Sequence, residues 1–340
     1  MDAPYAFREF QEYQRRTLDG AVAAYQAYLD AWQAGLPFKG GMHWKKIKGH
    51  EYLYKYRDRY GQGHSLGPRS PATEALFHEF TRQRRELTAL RQRRRREEDE
   101  IARFCRAALL NRVPEPVGRI LRRLEQRAPG GAEVMVLGSQ ALYAYEFAAG
   151  VSLTAPKTSL LREGAGQRLT LAASVSSPAD LLQVLRRTDR SFQPRGDGWE
   201  AVNRDGFQVR LITPLSPRGP SRNSQPGVPG GAADLTVLLN SPKFSQVVID
   251  RRGRPATMLA PDPRVLARHL LRRSRQADRT SAQRDRDLLR ATALAELILR
   301  YLPQYHFFAA DLQGFPPQVR RRAEGLMEGY DAAEDLEEEE

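Results

Sequence analysis

Gly138 and Ser139 follow directly on the apolar run Glu133-Val134-Met135-Val136-Leu137 and precede the helical pattern of residues 140–149. A glycine and a serine leaving a strand let the backbone approach a phosphate, and the N-terminus of the next helix favours negative charge. The chemistry implied is phosphate binding; a plain strand–helix turn is the competing reading. A second group lies upstream. Trp44, Tyr52 and Tyr54 alternate with Lys45, Lys46, Lys48 and Lys55, and Arg69 follows. Aromatic rings stack on bases and interleaved cations pair with phosphates, so this pattern points to nucleic acid. Five of the seven lysines fall within residues 39–55, a clustering that a general preference for arginine does not produce. The alternative is a hairpin whose aromatics pack against the N-terminal helix.

Other chemistries find little support. The six histidines show no His-x-x-x-His spacing, so packing and surface roles are expected for them. Neither a Gly-x-Ser-x-Gly elbow nor a Walker loop occurs, which removes the serine hydrolase and P-loop readings. Cys105, the single cysteine, is expected to be a buried structural residue on an apolar helical patch with Phe104 and Leu109. It excludes a disulfide framework and cysteine-cluster zinc sites. Glu146 is expected to be a satisfied helix carboxylate.

The elements that must position these residues follow from periodicity. Residues 5–35 predict one amphipathic helix, with Leu18, Val22, Tyr25, Leu29 and Trp32 on one stripe and Gly35 and Pro37 ending it. Residues 40–70 predict a small module of two or three strands. Residues 72–108 predict a long polar helix in which arginines at 91 and 93–96 precede acids at 97–100, a pattern of opposite charges that supports a helix. A shorter helix is expected near 115–127. Strands follow at 133–137, 168–175, 191–193, 199–203 and 207–213. Ser177-Pro178 starts a helix through Thr188, and Arg204-Asp205-Gly206 forms a tight turn. A flexible insertion rich in proline, glycine and serine spans 214–233. A hairpin at 244–250 and 255–259 and helices at 263–275, 281–302 and 316–329 complete the chain. The fold class is α+β, with domains expected at 1–39, 40–70, 71–128, 129–260 and 261–330 and an acidic tail at 331–340.

The composition sets the frame. The chain has 340 residues, 41% of them apolar, and a formal net charge of +13. It has ample material for a core. No run of 18 apolar residues occurs, which excludes a transmembrane helix, and the first residues lack a signal-peptide pattern. A cytoplasmic bacterial protein is the expectation. The last ten residues hold seven acids and no base. Such a block is expected to be a solvated tail, with folding back onto basic surface as the alternative.

The segments Gly40-Gly41-Met42-His43-Trp44-Lys45-Lys46, Glu51-Tyr52-Leu53-Tyr54 and Ser65-Leu66-Gly67-Pro68-Arg69-Ser70 carry a resemblance. It continues through Val136-Leu137-Gly138-Ser139-Gln140-Ala141-Leu142-Tyr143-Ala144-Tyr145-Glu146, Asn203-Arg204-Asp205-Gly206-Phe207-Gln208-Val209, Gln246-Val247-Val248-Ile249 and Ala260-Pro261-Asp262-Pro263-Arg264. A last stretch holds His269, Asp278-Arg279, Arg284 and Arg286-Asp287. In these the chain resembles the polymerase-β-like nucleotidyltransferase superfamily, and more narrowly a bacterial family of nucleotidyltransferase-fold proteins.

The resemblance implies a mixed sheet with flanking helices and transfer of a nucleotidyl group from an NTP to an acceptor. It implies that Gly138 and Ser139 hold nucleotide phosphates. In active relatives an Asp-x-Asp pair and a third acid bind two Mg²⁺ ions, which stabilise the attacking and leaving oxygens of an in-line displacement. Here the expected acid positions hold Lys157, Ser159 and Arg210, and a lysine expected after His269 is Leu270. Charged lysine and arginine have no lone pair for a metal. This copy is therefore expected to be a degenerate, non-catalytic member, with no cofactor of its own. Its basic pocket would take a nucleotide or a nucleic-acid phosphate. The alternative is a non-catalytic nucleic-acid-binding or assembly module built on the 43–69 hairpin and the 82–96 arginine helix.

Overall fold

The computed structural model describes residues 5–56, 63–127, 134–154, 167–173, 177–196, 199–213 and 232–325. Two compact units emerge. Arg16–Ala108 form one, and Met1–Arg15 with Leu109–Glu340 form the other. No described helix is long and apolar enough to cross a membrane.

In the first unit, helix α1 (Glu12–Ala34) buries Leu18, Ala21, Tyr25, Tyr28 and Leu29. Its stripe meets helix α2 (Pro71–Ala107) closely at Gly20, where an added Cβ would lie 3.5 Å from Ile101 Cδ1. α2 starts at a full capping box, with Ser70 and Thr73 each satisfying the other's backbone N–H, which removes two orphan donors. Four of its arginines, Arg82 and Arg93 to Arg95, are paired within the helix. Arg82 meets Glu79 at 2.7 Å and Glu86 at 3.0 Å, Arg94 meets Glu97 at 2.8 Å, and Arg95 meets the buried Glu98 at 3.0 Å. Strands β2 (Gly41–Ile47), β3 (His50–Tyr56) and β4 (Gly63–Pro68) form an antiparallel sheet in sequence order. Met42 and Leu53 on one face pack with Phe80 of α2. Cys105 is buried, but Phe104 and Leu109 are 56% and 70% exposed, so the expected shared patch does not form. One residue of helix turns Phe104 about 100° away from Cys105, and Leu109 lies past the helix end with a φ of +57°.

The second unit opens with a correction. Ala6–Glu9 form strand β1 rather than the first turns of the helix. β1 pairs antiparallel with β6 (Val151–Thr154), and Phe7 lies edge-on to Tyr5 and Tyr301 at 5.7 and 5.6 Å. A five-stranded sheet runs in the order β5 (Val134–Leu137), β7 (Arg168–Ala173), β10 (Gln208–Ile212), β9 (Glu200–Val202), β8 (Gln193–Arg195). Only the β7–β10 pair is parallel. The last edge strand lies at 193–195 rather than 191–193, because Asp189 accepts from Ser191 N at 2.9 Å and holds that stretch in a turn. β11 (Lys243–Ile249) and β12 (Pro255–Pro261) form a hairpin, turned at Gly253 with a φ of +79°.

Helices cover these strands. α3 (Glu115–Arg127) buries Val117, Ile120 and Leu121. α4 (Leu142–Ala149) is buried nearly all round. Glu146 in α4 accepts from Arg112 Nη1 at 2.6 Å and Leu153 N at 3.3 Å, the satisfied carboxylate expected of it. α5 (Pro178–Thr188) is capped by Ser177. α6 (Ala232–Asn240) follows the 214–233 insertion, most of which lies outside the described residues. α7 (Pro263–Arg273), α8 (Ser281–Tyr301), α9 (Ala309–Leu312) and a helical stretch at 317–325 complete the unit.

Candidate phosphate-binding site

β5 ends at Leu137, and Gly138 turns the chain with a φ of +73°. That conformation costs glycine least, having no Cβ. Gly138–Gln140 make a single 3₁₀ turn into α4. The first N–H groups of such a turn have no acceptor within it. Gln140 pins the turn to β7 by donating from Nε2 to the Arg168 carbonyl at 3.1 Å.

A cleft opens on Gly138 and Ser139. Leu137 and Leu142 line it on the same side, and His269, Leu270, Arg273 and Arg290 line it from α7 and α8. α7 is set in place by two local devices. Tyr145 of α4 donates to the Pro261 carbonyl at 2.8 Å. Asp262 then caps the helix, accepting from Arg264 N at 2.8 Å, with Pro263 in the first turn. Proline suits that position because its missing N–H would be unpaired anyway. α8 starts at the Thr280–Gln283 capping box, which fixes the phase that turns Asp287 and Arg290 inward.

The cluster is strongly basic. Asp287 accepts from Arg273 Nε at 3.2 Å, faces Arg279 Nη2 at 2.9 Å and lies 3.8 Å from Arg290 Nη1. All four side chains are buried. Three guanidiniums thus surround one carboxylate in a place where water screens little. Burial, and the neighbouring guanidiniums against the attraction of Asp287, pull Arg273 and Arg290 down from 12.5 to about 10. Both remain charged at neutral pH. His269 Nδ1 and Arg279 Nε are buried without a hydrogen-bond partner among the described residues. Such groups cost free energy until a partner arrives. The arrangement is suited to receive an anion.

His269 itself is neutral. Burial first, then Arg273, Arg272 and Arg279, lower its pKa from 6.5 to about 3. The sign of the pH effect follows from linkage. Between about pH 6.5 and 3 the unfolded chain holds a proton on this residue that the folded chain lacks, so stability falls as pH falls. His269 contributes nothing to the slope above that window. Within that window the unfolding constant is expected to rise about tenfold less per pH unit in His269→Gln than in the wild type, the contribution of one proton. Equal slopes would show that His269 protonates freely in the folded protein.

Of the expected acid positions, Lys157 and Ser159 lie outside the described residues. Arg210 sits in β10, opposite Thr170 of β7 and Glu200 of β9. It forms an ion pair with Glu200. Arg168 is nearby, its pKa lowered by burial and by Arg210, with Glu200 opposing. The carboxylate that faces this part of the sheet is thereby held by a cation. Asp180 is likewise engaged, accepting from Ser177 and Arg127. Among the described residues no group of three or more His, Cys, Asp or Glu side chains is placed to hold a metal ion.

The basic aromatic segment belongs to the other compact unit. Trp44 is half-buried on the α2 side, 5.9 Å from Phe77 and covered by Arg69 at 5.1 Å. Arg69 is further held by Glu51 and Glu74, each at 2.6 Å. Lys55 lies over Phe80 at 5.7 Å. Lys46 and Lys48 are exposed. Tyr52 and Tyr54 share the opposite face with Lys45, whose ammonium lies 5.4 Å from the Tyr54 ring.

Arg273 and Arg290 were not marked by any motif. The available signal is helical spacing, with Arg273 four residues after His269 and Arg290 three after Asp287, so that each pair shares a face.

The sequence model of a family described as Nucleotidyltransferase matches residues 115–313, more than half of the chain. The matched span runs from α3 to just beyond α9 and contains the Gly138–Ser139 turn and the whole α7–α8 cluster. No curated protein and no solved structure matches the chain. The coverage of that match makes this chain a member of the nucleotidyltransferase family.

Proposed function

We propose that the chain binds the phosphate groups of a nucleoside triphosphate between the Gly138–Ser139 turn and the α7–α8 arginines, and that this binding is independent of metal. The observation that carries the reading is the buried excess of positive charge. Arg273, Arg279 and Arg290 share Asp287, and the cleft that Arg273 and Arg290 line also exposes the glycine–serine turn. A phosphate there accepts from backbone N–H groups, the Ser139 hydroxyl and the guanidiniums, whose planar forks suit phosphate oxygens. Lys157, Ser159 and Arg210 stand where the resemblance expects acids. On this reading the copy keeps the phosphate-holding half of a transferase site and has lost the metal-holding half, so it senses or sequesters a nucleotide without transferring it.

The test is isothermal titration with ATP, GTP, CTP, UTP and inorganic triphosphate, in EDTA and again with Mg²⁺. Binding in EDTA is expected, with weakening of about tenfold or more in Gly138→Asp, which places a negative charge against the phosphate site. Absence of binding in EDTA overturns metal independence. A parallel assay with α-labelled NTPs and Mg²⁺ covers catalysis. Transfer of label that disappears in Glu200→Gln would overturn the non-catalytic reading and identify a borrowed carboxylate.

A further inference from the structure

We infer that the face of the β2–β3–β4 sheet turned away from α2 is a stacking platform for a single-stranded nucleic acid. Strand alternation divides the aromatic residues of this sheet between two faces. Met42, Trp44 and Leu53 take the inner one, where they join Phe77 and Phe80. His43, Lys45, Tyr52, Tyr54 and Tyr56 take the outer one, because register pairs His43 with Tyr54 and Lys45 with Tyr52.

Three of the outer rings form a row. Tyr54 and Tyr56 stack at 6.0 Å with planes 27° apart, and His43 lies 5.8 Å from Tyr56. The β4 residues opposite these tyrosines are small or lack a long side chain. Pro68 faces Tyr52, Ser65 faces Tyr54 and Gly63 faces Tyr56. Gly63 is required there, since a Cβ would come within 2.9 Å of the Tyr56 ring and 2.6 Å of the Lys55 carbonyl. Small β4 residues therefore flank the row, and Tyr52, Tyr54 and Tyr56 are half-buried.

Among the described residues the charge on this surface is positive. Lys45 lies on the face itself and Lys48 sits in the β2–β3 turn. A Cβ on Gly41 would lie 3.7 Å from Arg84 Nη1, so a guanidinium also reaches the Gly41 end. The one carboxylate within the three strands, Glu51, occupies the other face and is held by Arg69. Tyrosines two apart on a strand are spaced by about 6.8 Å. An extended single strand can lay splayed bases on such rings while its phosphates meet the flanking cations. A duplex hides its base faces, so the aromatic row selects against it. The lysines alone would serve equally to protect an edge strand; the tyrosine row is what that role does not require.

The test uses the full chain and fluorescence anisotropy with a labelled twelve-nucleotide oligo-U or oligo-dT, a duplex of equal length and a poly-glutamate competitor. Preference for the single strand is expected, with affinity falling as salt rises. Tyr54→Ala and Tyr52→Ala should each weaken binding by about five- to 100-fold, and Tyr54→Phe, which keeps the ring, should restore it. Lys45→Ala should instead lower the slope of log affinity against log salt by about one. Circular dichroism confirms that each variant folds. Failure to bind the single strand at low salt, equal affinity for the duplex, or indifference to Tyr54→Ala overturns the proposal. So does poly-glutamate displacing the oligonucleotide at equal charge concentration, which would assign the face to an acidic protein.

Discussion

Replacing Asp287 by asparagine is expected to destabilise the second unit by about 3–5 kcal/mol, the range for removing one partner of a buried ion pair. The residue is the shared acceptor of Arg273, Arg279 and Arg290, and it is buried with them. Asparagine keeps the shape but leaves three guanidiniums without their common negative charge. With Asp287 in place Arg273 and Arg290 are held at about 10 by burial against its attraction, and asparagine removes that attraction. The thermal midpoint should drop by roughly 6–20 °C on the usual scaling for a unit of this size. Inorganic triphosphate should recover part of the loss if it binds the same arginines. A drop with no recovery would separate the structural role of Asp287 from the proposed ligand role. A variant as stable as the wild type would refute the buried charge network itself.

The second large effect is expected at Asp250, 0% exposed at the end of β11. It accepts from Arg122 Nη2 at 2.7 Å, Arg252 N at 2.8 Å and Arg254 N at 3.0 Å. One side chain thus ties α3 to the β11–β12 turn. Asp250→Ala leaves the Arg122 charge and two turn N–H groups without that acceptor, at a cost again of about 3–5 kcal/mol. Gly118 tests the same contact from the helix side. An added Cβ there would lie 2.6 Å from Asp250 Cβ. Alanine normally gains about 1 kcal/mol over glycine within a helix. Here the clash is with an atom fixed to the backbone, and overpacking costs typically 1–3 kcal/mol or more, so Gly118→Ala should destabilise. Urea unfolding followed by circular dichroism measures both variants. A stabilised Gly118→Ala would mean that α3 does not pack on Asp250.

Much of the scaffold was legible from neighbouring residues alone. The strand ending at Leu137, the glycine–serine turn, the Ser177-Pro178 helix start and the hairpin at 244–250 and 255–259 all appear where periodicity and turn chemistry put them. Each depends on a backbone preference that a few adjacent residues determine. The proposal that Gly138 and Ser139 contact phosphate, and the absence of acids at Lys157, Ser159 and Arg210, came equally from the sequence.

Tertiary structure decided what those residues face. β1 was invisible as a strand because its partner β6 lies far along the chain, and Ala6–Glu9 read as helix without it. Trp44 and Tyr54 look alike in the alternating pattern, yet one packs toward α2 and the other away from it. Arg273 and Arg290 are ordinary members of an arginine-rich chain until the packing of α7 on α8 closes them around Asp287. Local sequence specifies backbone shape through short-range sterics and hydrogen bonds, whereas burial and charge balance arise from groups brought together across long sequence separations. The turn was therefore written in the sequence, and the basic cluster beside it was made by the fold.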